Sequence, residues 1–77
     1  MAVRPIIAPS AYRHDVRAED RLHAYNNAFR AFDMDEDFVM HVGADRAGNL
    51  LEVGTVRSND GSDVIVHAMS ARSKFLR

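Results

Sequence analysis

Apolar positions recur at spacings of three and four from residue 18 onward: Leu22, Tyr25, Phe29 and Phe32 form one stripe. Glu19 and Asp20 sit at the positive end of the dipole such a helix would have, and Arg30 lies near its negative end. The pattern predicts a main helix from Ala18 to about Phe32. The acidic run Asp33, Asp35, Glu36 and Asp37 breaks it, and Phe38-Val39-Met40-His41-Val42 then reads as a strand. Asp45-Arg46-Ala47-Gly48-Asn49 has the residues of a hairpin turn, and Leu50 to Val56 follows as a second strand. A second turn, Ser58-Asn59-Asp60-Gly61-Ser62, leads to Val64-Ile65-Val66-His67-Ala68-Met69, rich in β-branched residues. The expected fold is α+β: the helix stripe laid across one face of a three-stranded antiparallel meander. Ahead of it, Val3 to Ile7 favours extended backbone, with Pro5 confining it to an edge strand or arm, and Pro9-Ser10 opens a short helical turn ending at Asp15.

Composition narrows the class without naming a function. The 77 residues, 47% hydrophobic and 27% charged, make one domain. A chain of this size buries only ~60% of its unfolded surface, so its stability is marginal and a partner would add to it. The absence of cysteine excludes a disulfide scaffold, a thiolate zinc site and a cysteine nucleophile, and points to the cytoplasm. No apolar run approaches the ~20 residues of a membrane span, and the first residues lack the pattern of a signal peptide. Gly-rich phosphate loops, nucleophile elbows and paired base-stacking aromatics are absent too, which argues against a metabolic enzyme.

The formal charge is only -1, but it is segregated. Residues 33 to 63 hold eight acids against Arg46 and Arg57, whereas Val64 to Arg77 has Arg72, Lys74 and Arg77 and no acid. That basic end is either an anion contact or a solvated tail.

If the first hairpin pairs positions summing to about 93 and the second to about 121, side-chain alternation puts Phe38, Met40, Val42, Leu51, Val53, Thr55, Val64, Val66 and Ala68 on the core face. The open face then carries His41 opposite Glu52 and His67 one diagonal step away, beside Val39, Leu50, Val56, Ile65 and Met69. Two histidines flanking a carboxylate suit acid-base chemistry near neutral pH, and two imidazoles with a carboxylate also suit a divalent metal. The bland alternative is a half-exposed face whose polar groups meet water. No helical His pair or Cys spacing favours the metal, so neither metal nor cofactor is expected.

Arg13-His14-Asp15-Val16-Arg17-Ala18-Glu19-Asp20 resembles the basic-His-Gly-Val-x-x-Glu-acid box that opens the helix of BrnT-like toxins, within the wider RelE-type class. Val42-Gly43, then Gly48-Asn49-Leu50-Leu51-Glu52-Val53, then Val64 to Arg72 ending in Ser-Ala-Arg, are similar to that family's hairpin and final strand. The pattern is also similar to small actinobacterial toxin-like proteins ending in His-Ala-Met-x-x-Arg. The chain departs from the family at Asp15, where glycine is usual, and lacks its opening Trp-Asp segment and its C-terminal helix.

The resemblance implies the toxin of a type II toxin-antitoxin system, a ribosome-dependent or free endoribonuclease that needs no metal and is held inactive by an antitoxin. The positions that match the family's basic residues are Arg13, His14 and Arg72, with Lys74 just beyond; Arg13, Arg72 and Lys74 would hold RNA phosphate, with Arg72 also stabilising developing charge. His14 or His67, the latter beside Glu52, would exchange protons with the ribose hydroxyl and the leaving oxygen. The alternative is a non-catalytic, toxin-derived module that forms a homodimer or binds a partner through its open sheet face.

Overall fold

The computed structural model describes residues 6, 7 and 16 to 76. The short turn expected over residues 9 to 15 lies outside these, as do Arg13 and His14. Along the chain come β1 (Ile6–Ile7), α1 (Ala18–Asn26), β2 (Arg30–Asp35), β3 (Phe38–Ala44), β4 (Leu50–Arg57) and β5 (Asp63–Ser70), followed by a 3-10 turn at Ser73–Phe75. They build one five-stranded sheet, ordered β1-β5-β4-β3-β2, with β1 parallel to β5 and the other pairs antiparallel. The coarse α+β class holds, but the three-stranded meander does not: the sheet is wider because the expected helix stops early and its last residues form β2, and because Ile6–Ile7 adds β1 beside β5 at the opposite edge.

Asn26 and Asn27 are weak helix formers, and both the backbone and side-chain amides of Asn27 bond back to the His23 carbonyl, at 3.0 and 2.9 Å. The chain then extends, and the Phe29 N–H donates to the Val42 carbonyl at 2.9 Å. Phe29, expected in the core, is 57% exposed. Phe32 faces Phe75 instead of the helix side, with ring centroids 5.6 Å apart. The acidic run is a tight hairpin tip: Asp35 pairs with Phe38 across Glu36 and Asp37, which take φ of 49° and 64°. Two positive φ values suit a turn joining twisted antiparallel strands, although glycine or asparagine adopts them at lower cost.

The sheet is buried on both faces at its centre. On one side α1 covers Leu51, Val53, Ile65 and Ala68 through Ala24, with Leu22 and Tyr25 at the margin. Close approach depends on Gly43, where a Cβ would lie 2.1 Å from the Ala24 carbonyl oxygen. On the other side Met40 and Val42 pack against Phe75, with Phe32, Phe38 and Ala71 around them. The face expected to be open is therefore partly covered by the residues that follow β5.

The registers explain which side chains share a face. Positions on β3 and β4 pair to a sum of 94, as in Phe38 with Val56 and Val42 with Glu52. Those on β4 and β5 pair to 121 from Leu51–Ser70 to Gly54–His67, after which Val66 is an extra residue and Thr55 pairs with Ile65. The one-residue slip in the first hairpin puts His41 on the helix side, opposite Val53, and leaves Glu52 on the other face. The bulge in β5 turns Ile65 inward beneath the helix, where Val66 was expected. No described helix is long and apolar enough to cross a membrane.

Candidate functional site

Glu52, in β4, is fully buried, and its position in the ladder opposite Val42 and Met69 sets it on the face away from α1. Past β5 the Ala71 N–H still donates to the Leu50 carbonyl at 3.0 Å, and the chain then turns across the sheet. The turn delivers Arg72 to Glu52. Oε1 accepts from the Arg72 backbone N–H and from its Nε, both at 2.9 Å. Oε2 accepts from Arg72 Nη2 at 2.7 Å and from His67 Nε2 at 2.8 Å. A bidentate guanidinium, a backbone amide and an imidazole thus saturate one buried carboxylate.

Burial alone would raise the Glu52 pKa, but the hydrogen bonds from Arg72 and His67, with the charge of the guanidinium, hold it at about 2. The carboxylate is therefore ionised at any ordinary pH and can only accept, so His67 Nε2 must carry the hydrogen. In the neutral ring the basic lone pair is then on Nδ1. Glu52 orients both a proton-transfer group and a cation, and both reach solvent: the side chains of His67 and Arg72 are 25% and 46% exposed. Lys74 stands in the following turn, its Nζ 5.1 Å from the Phe75 ring centroid, with the Arg72 guanidinium carbon 5.5 Å from the same centroid. Phe75 anchors both cations from the core.

Of the expected site residues, the structure brings together Glu52, His67, Arg72 and Lys74; Arg13 and His14 lie outside the described residues. His41 does not join them. Its Nε2 is 3.0 Å from the Thr55 hydroxyl, its ring meets the edge of Tyr25 at 5.0 Å, and burial lowers its pKa despite the nearby Asp63. The expected placement of His41 opposite Glu52 is overturned by the hairpin register, which pairs it with Val53.

A second site, which the sequence did not suggest, is a cavity of about 380 Å³ lined by Asp33, Asp37, Val39, His41, Thr55, Arg57 and Asp63. The Tyr25 hydroxyl donates to Asp63, and burial together with that carboxylate pushes the phenol up to about 12. Arg57 Nε lies 3.9 Å from Asp63. Asp33 and Asp37 belong to the run that reads as a helix breaker, and only the β2–β3 pairing turns them toward His41. Among the described residues no three His, Asp or Glu side chains are arranged to hold a metal ion. Compared with known protein families, curated proteins and solved structures, the chain matches none.

Proposed function

We propose that the protein is an RNA-binding, endoribonuclease-like toxin component acting through His67, Arg72 and Lys74. The observation that carries this reading is the buried Glu52 carboxylate, which holds an imidazole and a guanidinium side by side at the solvent boundary. Arg72 meets Glu52 through Nε and Nη2, so Nη1 lies on the edge of the guanidinium away from the carboxylate, where a phosphate oxygen can approach. Lys74 adds a second cation. His67 Nδ1 takes the proton of a ribose 2′-hydroxyl as the 2′-oxygen attacks the adjacent phosphorus and the bond to the 5′-oxygen breaks. The products are a 2′,3′-cyclic phosphate and a 5′-hydroxyl, whose proton comes from the imidazolium or from water. Arg72 stabilises the charge that develops on the phosphoryl oxygens.

The test is incubation of the protein with single-stranded RNA at low salt. Fragments ending in a cyclic phosphate are expected, and His67→Gln, which keeps a donor toward Glu52, should reduce their formation by ~10²-fold or more. Lys74→Ala should flatten the log-log salt dependence of binding by about 0.7. RNA that is uncleaved and leaves the amide signals of His67, Arg72 and Lys74 unmoved would sink the proposal. The non-catalytic module would then be the better reading, although the apolar surface first expected for it is divided: Ile65 is buried under α1 and Val39 lines the cavity.

A further inference from the structure

Strand β2 ends the sheet, and among the described residues it pairs only with β3. Every second residue of such a strand points its N–H and C=O outward, a template for another extended chain. Arg30, Ala31, Asp33, Met34 and Asp35 are all exposed along it, and Phe29 just before it is exposed as well. The edge is also acidic: Asp33 and Asp35 lie in the strand, and Glu36 and Asp37 form its tip. Asp33 and Asp37 are at the same time walls of the cavity that runs inward past His41 to Asp63.

These features select the occupant. A second copy pairing through β2 would set four carboxylates and only Arg30 from each chain within a Debye length of each other, an unfavourable net balance. A cationic strand reverses that sign and satisfies the outward backbone groups. We propose that the β2 edge takes up an extended, basic segment of a partner protein as an added antiparallel or parallel strand. One Lys or Arg of that segment reaches the near side of the cavity, beside Asp33 and Asp37. The exposed Phe29 and Met34 give its apolar side chains contact. This surface is separate from the one assigned to RNA, so either assignment stands if the other fails.

The probe is an acetylated, amidated octapeptide of alternating Lys and Val, titrated into the ¹⁵N-labelled protein, with the alternating Glu and Val peptide as control. The Lys peptide should shift the amides of Ala31 to Asp35 and of His41 and slow hydrogen exchange in β2, while the Glu peptide should not. Asp33→Asn and Asp37→Asn, both at exposed positions, should each weaken binding about two- to fivefold at low salt. N-methylation of the peptide on its Lys residues or on its Val residues blocks one edge or the other, so one series should lose binding and the other keep it. Equal binding of both methylated series, or of the Lys and Glu peptides, would overturn the proposal. So would shifts confined to the Arg72 region, or sedimentation showing that β2 is already occupied by a second copy.

Discussion

One glycine marks each face of the sheet, and the two differ in what stands over them. Above Gly43 is main chain: a Cβ there would meet the Ala24 carbonyl oxygen at 2.1 Å and its carbon at 2.9 Å. Above Gly54 are side chains, with the Phe38 ring at 2.7 Å and the His67 Cβ at 3.2 Å. A helix backbone docked on a sheet cannot move by itself, whereas an aromatic ring can rotate away. The helix-side face is thus fixed by backbone contact, and the tail-side face by side chains and a saturated carboxylate. A face held by side chains can present groups to solvent in a set geometry, and there His67 and Arg72 are found.

The sharpest test of this contrast is Gly43→Ala. Displacing α1 disrupts the packing of Ala24, Leu51 and Val53, so a loss of about 3 kcal/mol or more is expected by urea denaturation. A loss under about 1 kcal/mol would mean that the helix is less firmly seated than its contact with Gly43 indicates.

The next effect belongs to the other face and appears with pH. The folded-state pKa of Glu52, about 2, lies below its ordinary value of 4.5. Its stabilising contribution is therefore fully present above pH 4.5 and is lost as pH falls from there toward 2. By linkage about 3 kcal/mol is at stake. Arg72→Ala removes the guanidinium that does most to hold the carboxyl down, so the variant should be less stable at neutral pH and lose less on acidification. Parallel stability curves for variant and parent would show that the pair does not anchor the tail.

Much of this architecture was legible in the sequence, and what was missed has identifiable causes. The strands from Phe38 onward follow from alternation and turn residues, and the start of α1 at Ala18 is where the apolar stripe begins. The stripe misleads beyond Asn26, because Phe29 and Phe32 keep helical spacing while long-range pairing with β3 governs the backbone. Turn length decided the rest. A pairing sum of 94 in place of 93 separates His41 from Glu52, and nothing local to Asp45-Arg46-Ala47-Gly48-Asn49 distinguishes those two registers. The second hairpin keeps the expected register as far as Gly54–His67, which is why Glu52 and His67 do meet. Phe75 went unnoticed because it and Leu76 sit in a short basic stretch with no helical or strand periodicity, and its burial depends on how the chain turns after β5.

A smaller effect is expected at Gly54. Adding a methyl group there pushes on the Phe38 ring and the His67 Cβ, both of which can shift, so Gly54→Ala should cost only about 1 to 2 kcal/mol. Its informative readout is positional. The amide and ring signals of His67 should move while those of His41, on the far side, stay in place. If both histidines respond alike, the two faces are mechanically coupled, and the division drawn between them is too simple.

The smallest effect tests the helix-side face through His41. Its ring is half-buried beside Thr55 and Tyr25, and burial lowers its pKa in the folded chain. The neutral ring is therefore favoured by folding. Its contribution to stability is present above the ordinary histidine pKa of 6.5 and is lost as pH falls below that toward the folded value. The effect is small because a half-buried ring keeps part of its hydration, and because Asp63, nearby in the same cavity, pulls in the opposite direction. Asp63→Asn separates the two influences: with the carboxylate gone, desolvation acts alone and the His41 titration should move further down. NMR titration of the His41 ring in parent and variant reads this directly. A midpoint that rises in Asp63→Asn, or that lies above 6.5 in the parent, would show that electrostatic attraction and not burial governs this imidazole, and the two faces would then differ less than their packing indicates.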